Sequence, residues 1–267
     1  MKFTILLTAL FLAGKFLSGA AQAQDRGNPA VVMVMDPGLP LHTIYYPREA
    51  KEPLGIVAYG NGGCLNDGSN YQDLLSEVAS RGYLVIANGP IQPVDLDNST
   101  TAAQLTEALD WAIAENTRPG SKHLGKLDTA LVAVMGHSCG GRQALIASAD
   151  PRVKTSIIVS AGGSPPEVLT KLHGPMLYLA GGPSDRAQKM VEHDVAAITH
   201  VPVMKVELDA GHNGTLFDLE GGAFGRVINA WLAWKLRGSG EGAKWFVGAE
   251  CLLCKVSAWT LEKKRIE

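Results

Sequence analysis

The sequence contains no run of Lys or Arg and no acidic tail, and its formal net charge is only −2. Without a basic stripe there is no electrostatic footprint for nucleic acid. The final stretch, LEKKRIE, is basic but short and reads as a solvated chain end. Internal repeats and low-complexity linkers are also absent, so nothing divides the chain into an array of modules. The 267 residues allow one large domain or two small ones, and residues 24–267 are taken as one. Hydrophobic residues make up 46% and charged residues 19%, which supports a substantial core. Beyond the N-terminus no segment is apolar for the about 20 residues that a bilayer span needs.

The first residues have their own logic. Lys2 precedes an apolar run from Phe3 to Leu12, and small residues lead to Ala21-Gln22-Ala23. That is the layout of a secretory signal peptide over residues 1–23, with an A-x-A cleavage site. Lys15 interrupts the apolar part and makes an uncleaved membrane anchor a poor alternative. A secreted or periplasmic protein starting near Gln24 is expected, with no membrane association after cleavage. Export bears on the four cysteines, Cys64, Cys139, Cys251 and Cys254, because disulfides persist outside the cytosol. Three pairings are open to them.

Short apolar runs alternate with amphipathic stretches through most of the chain. GIVAY (55–59), YLVIAN (83–88), ALVAVM (130–135), TSIIVS (155–160), MLYLAG (176–181) and VMKVEL (203–208) mostly lack polar alternation, as strands covered on both faces do. HTIYYP (42–47) ends in proline and suits an edge strand. Between them, Ser69 and Gln72 form a capping-box pattern before Tyr71, Leu74, Leu75 and Val78. Residues 100–116 and 223–236 place apolar side chains at helical spacing. The class is α/β, with a largely parallel sheet and helices on both faces. Sites in such sheets lie at the carboxyl ends of the strands.

One such strand end carries Gly136-His137-Ser138-Cys139-Gly140, a G-x-S-x-G turn between an apolar run and a helical pattern. So tight a turn needs glycine where side chains would clash, and it exposes the serine oxygen. A serine hydroxyl needs a base. His212, in a glycine-flanked loop after the last strand run, is the candidate, ahead of His42, His123, His173, His193 and His200. Asp185, just after MLYLAG, is the candidate that orients the imidazole, ahead of Asp194 and Asp209. Its plain alternative is to cap the following helix. For the oxyanion, Gly60-Asn61-Gly62-Gly63 ends a strand and can turn N–H groups inward. The amides of Asn61 and Cys139 are the candidate donors, with Gly62 as alternative. No Lys-Ser/Thr follows this loop and G-x-G-x-x-G is absent, so phosphate binding is not indicated.

These motifs, in this order, resemble the α/β-hydrolase superfamily over roughly residues 40–237, and within it the lid-less dienelactone-hydrolase-like, cutinase-like and polyester-hydrolase-like members. The resemblance implies a sheet of about eight strands, ester hydrolysis through an acyl-enzyme, and triad positions at Ser138, Asp185 and His212. SAGGSPPEVLTKLHGP leaves too few residues for a cap domain. AGGSPP stands where many polyester hydrolases carry a tryptophan, which speaks against a polyester substrate. Tyr59 replaces the frequent histidine before the oxyanion glycine, where it either lines the pocket or merely ends its strand. His137 is the other candidate substrate contact. The resemblance also brings the loops of Cys64 and Cys139 to one pocket, so a Cys64–Cys139 disulfide is expected, with Cys251–Cys254 as the remaining pair. Two free, buried cysteines are the alternative. Cys251 and Cys254 have half-site spacing but no second ligand pair, so no metal and no cofactor is expected. The expected function is a secreted serine esterase acting on an ester substrate. A peptidase or amidase on the same triad, or a non-catalytic binding protein on this scaffold, is the alternative.

Overall fold

In a computed structural model of the chain, residues 30–92 and 99–266 are described. The expected signal peptide, residues 1–23, and the first residues after it lie outside them. The elements run in order β1 (Val31–Asp36), β2 (Leu39–Pro47), β3 (Leu54–Gly60), α1 (Gln72–Ser80), β4 (Tyr83–Asn88), α2 (Ala102–Glu115), β5 (Leu127–His137), α3 (Cys139–Ala147), β6 (Thr155–Val159), α4 (Pro166–Leu169), β7 (Met176–Ala180), α5 (Gln188–Ala197), β8 (Val203–Leu208), α6 (Gly222–Arg237), α7 (Gly240–Ala243) and β9 (Trp259–Lys264).

Among the described residues all nine strands form one sheet in the order β1-β2-β4-β3-β5-β6-β7-β8-β9. Strands β3 to β8 are parallel to their neighbours among themselves, while β1, β2 and β9 add antiparallel edges. The central strands are buried along their whole length, which is why their sequences are continuous apolar runs. Period-two geometry splits each strand between two cores. Ile56 and Ala58 join the side chains of α2, α3 and α5 on one face. Val57 and Tyr59 join those of α1 and α6 on the other.

The sheet has nine strands rather than about eight. The sequence pattern missed β1, and it read the last residues as solvated. Leu261 pairs with Val206, and the lysines of β9 suit an edge strand because they discourage pairing with other chains. The Ser69–Gln72 pattern does not mark the start of α1, which begins at Gln72 with Tyr71 at the cap position and no side-chain cap bond there, while the N–H and the hydroxyl of Ser69 donate to Asp67. A capping box is made instead by Thr101 and Gln104 at the start of α2. Between β6 and β7 the chain builds only the single turn of α4, so no cap covers the strand ends there. Among the described residues no helix is long and apolar enough to cross a membrane.

Trp231 on α6 is fully buried, and its indole N–H donates to Thr155 Oγ1 at 2.8 Å. Trp231→Ala should therefore lower the unfolding free energy by about 3–5 kcal/mol in urea titration, from lost burial and the cavity left behind.

Candidate active site

Ser138 stands between the end of β5 and the start of α3, at φ 53° and ψ −117°. A side chain in that region is strained by a few kcal/mol at most, and it persists only where the surroundings hold it. Here Ser138 N–H donates to Val159 O at 2.9 Å, which fixes the turn to the end of β6. A Cβ at Gly136 or at Gly140 would collide with backbone: with Gly140 itself in the first case, and with Gly60 and Asn61 in the second. The glycines of the motif thus let the first turn of α3 sit directly on the end of β3. The helix N-terminus adds partial positive charge next to the serine oxygen.

Asp185 follows β7 and His212 follows β8, so the sheet places both at the same carboxyl edge as Ser138. Gly181 O accepts from the N–H groups of Ala210 and Gly211, which ties the two loops together. His212 Nε2 lies 2.8 Å from Ser138 Oγ, and His212 Nδ1 lies 2.7 Å from Asp185 Oδ1. A carboxylate only accepts, so Nδ1 carries the proton and Nε2 presents its lone pair to the serine hydroxyl. The Asp185 carboxylate is fully buried. Burial pushes its carboxyl up, but hydrogen bonds from Ala187 N–H, His212 and Gly181 N–H outweigh this and hold it below the usual range. Asp185 Oδ1 also accepts from Ala187 N–H at 2.8 Å, in the turn before α5, whose own cap residue is Ala187 rather than Asp185.

The remaining candidates separate. Asn61 is buried, its side-chain amide reaching the carbonyls of Leu65, Asp67 and Asn88, and its backbone nitrogen lies against Gly140. Cys139 opens α3, where an N–H has no acceptor within the helix. Gly62 is corrected as an oxyanion alternative, since its N–H donates to Tyr71 Oη at 3.2 Å. Tyr59 does not line a pocket. It is 1% exposed and packs edge-on against Tyr71, because the alternation of β3 turns it into the core beneath α1. His137 is likewise buried rather than open to a substrate, with both ring nitrogens engaged, by Tyr71 and by the His212 carbonyl. Among the other histidines, His42, His123, His173, His193 and His200 make their hydrogen bonds or ring contacts away from Ser138. Asp209 accepts from Ser184, and Asp194 from Ser164 N–H.

Cys64 and Cys139 are joined in a disulfide with Cα atoms 5.2 Å apart, closing a separation of 75 residues. Cys251 and Cys254 form the second. Gln143 on α3 packs its amide onto Cys64 Sγ and Thr100 O, and Thr100 N–H donates to Cys64 O. The sequence offered no sign of Gln143, or of Ser160 beside Asp185. Tyr71 was visible only as an apolar position on a helix. Among the described residues no group of three or more His, Cys, Asp or Glu is placed to hold a metal ion.

A family model described as PET hydrolase-like matches residues 26–214. Cutinase est1 of Thermobifida alba is 37% identical over 116 residues, which are 43% of this chain and 37% of that protein. Cutinase 1 of Thermobifida cellulosilytica is 38% identical over 116 residues, 43% of this chain and 42% of its own. A cutinase of Thermobifida fusca (strain YX) is 38% identical over 116 residues, 43% of this chain and 36% of its own. The chain thus spans less than half the length of the curated relatives it matches.

Removing the Cys64–Cys139 bridge by Cys64→Ser with Cys139→Ser should cost about 2–4 kcal/mol of stability in denaturant titration, as expected for closing a long loop. Stability should also fall in acid. Burial pushes His137 and His123 down to about 4, and lowers His42. An unfolded imidazole titrates near 6.5, about 2 units higher. The folded state stays neutral while the unfolded chain takes up protons, so this stability is whole above about pH 6.5 and is lost as pH falls toward 4. Asp185 acts below that window, because a depressed carboxyl loses its contribution only as the pH falls below the unfolded value. Urea titrations at several pH values should show a slope of about 2–3 kcal/mol per pH unit near pH 5, from about two protons taken up on unfolding.

Proposed function

The chain belongs to the PET hydrolase-like family, and from that premise we propose that it is an exported serine hydrolase cleaving carboxylic esters through an acyl-enzyme. The observation that carries this reading is the continuous Asp185–His212–Ser138 hydrogen-bond line ending on a strained turn at a helix N-terminus. The relatives matched over part of their length are named cutinases, and the ester hydrolysis that cutinases perform is carried to this chain as the proposal.

Ser138 Oγ attacks the ester carbonyl carbon while His212 Nε2 takes the hydroxyl proton. Asp185 holds the imidazole in the tautomer that can accept it and stabilises the imidazolium. The carbonyl oxygen becomes an oxyanion, and the backbone N–H groups of Asn61 and Cys139 are the donors we assign to it. Collapse breaks the C–O bond, and His212 returns its proton to the leaving alcohol. Water then attacks the acyl-serine with His212 again as base, releasing the acid and restoring Ser138. The disulfide ties the loop after Asn61 to Cys139, so the two donors are held at one spacing.

Export is supported by the N-terminal signal layout and by two disulfides, which persist in oxidising compartments.

Ser138→Ala should lower kcat/KM on p-nitrophenyl acetate by at least about 10³-fold, and Asp185→Asn by about 10²–10⁴-fold. A fluorophosphonate probe should label the protein at Ser138 and leave Ser138→Ala unlabelled. Full esterase activity in Ser138→Ala would sink the proposal.

A further inference from the structure

Two buried polar side chains beside the site have no part in that chemistry, yet they form a directed chain. His137 Nε2 lies 2.8 Å from the carbonyl oxygen of His212. A carbonyl only accepts, so Nε2 carries the imidazole proton. Burial, the largest influence on His137, pushes it down to about 4, so the ring is neutral and its Nδ1 is an acceptor. Tyr71 Oη lies 2.8 Å from that Nδ1 and must donate to it. Burial pushes the Tyr71 phenol up to about 12, so this proton stays in place. The oxygen then accepts from Gly62 N–H at 3.2 Å. Every bond in the line Gly62 N–H, Tyr71 O–H, His137 Nε2–H, His212 C=O has one permitted direction.

This line joins three segments distant in sequence: the glycine loop after β3, the turn holding Ser138, and the loop holding His212. The His212 loop is attached a second time, because Phe217 stacks on the Tyr71 ring with centroids 4.8 Å apart. The fit is close enough to dictate a residue type: a Cβ at Gly62 would collide with both Tyr71 Oη and His137 Nδ1. The His212 carbonyl belongs to the residue whose imidazole must meet Ser138. Holding that carbonyl sets the backbone from which the side chain reaches.

We infer that Tyr71 and His137 are positioning residues, a relay that fixes the His212 backbone against the oxyanion loop so that Nε2 is aligned on Ser138 before substrate arrives. The inference rests on the triad reading proposed above. Displacing a reacting group by a fraction of an ångström to an ångström costs rate rather than ground-state affinity, up to about 10²-fold.

Tyr71→Phe keeps the ring, its contact with Tyr59 and its stack on Phe217, and deletes only the hydroxyl. On p-nitrophenyl acetate it should lower kcat about 10-fold with KM within about twofold. His137→Phe should do the same, and His137→Gln, which restores a donor for the His212 carbonyl, should recover at least about threefold of that loss. The Tyr71→Phe/His137→Phe pair should be no slower than the slower single, because both cut one line. Tyr45→Phe is the comparison: it removes another buried hydroxyl, bonded to Gly68 O, and should lower Tm without changing kcat. An unchanged kcat in Tyr71→Phe, a loss carried wholly by KM, or losses that multiply in the double variant would overturn the relay. Should Tyr71→Phe not fold, the His137→Phe and His137→Gln pair decides it from the other end. With Ser138→Ala inactive, a failure of these variants removes the relay alone. With Ser138→Ala active, the triad reading falls first.

Discussion

The backbones of Gly60 and Gly140 approach so closely that no side chain fits between them. That contact presses the first turn of α3 onto the end of β3, and much of the site follows from it. It lays the Asn61 amide beside the turn that carries Ser138. It brings Cys64 and Cys139 within bonding distance. It also forces the backbone through the strained angles at Ser138, which the hydrogen bond to Val159 O holds in place. Any side chain at these glycines would move the helix off the sheet and separate all of these groups at once.

Around that contact the site is a set of loops held by buried polar bonds. The side chain of Asn61 anchors the loop after β3 through three carbonyls. Gly181 O gathers the loop that carries His212. Asp185 is buried as a carboxylate and remains charged because several donors converge on it. In a low-dielectric setting such bonds are strong and directional, and leaving one unmade is costly. The loops are therefore positioned by buried hydrogen bonds in a region where apolar packing alone would leave them free to slide.

The legible parts of the sequence were those governed by local rules. Strands covered on both faces must be apolar throughout, so the parallel core was visible as runs such as YLVIAN. A tight strand-to-helix turn must carry glycines, so the elbow was visible as well. The edge strands were harder to see. β9 is short, charged and half exposed, and its identity as a strand depends on pairing with β8 rather than on its own pattern. Ser69 looked like a helix cap by spacing, but α1 starts only at Gln72, and Ser69 donates its N–H and hydroxyl to Asp67 in the turn before it.

Side-chain destinations divided in the same way. By itself the sequence determined the α/β class, the turn at Ser138 and the chain order of serine, aspartate and histidine, because each rests on spacing along the backbone. Only the tertiary structure decided that Tyr59 and His137 face inward, that Gly62 N–H turns to Tyr71, and that Gln143 rests on the disulfide. Those facts depend on which residues meet from strands and loops far apart in the chain. A hydrogen bond has a partner and a direction, and neither can be read until the fold has brought the partner within about 3 Å.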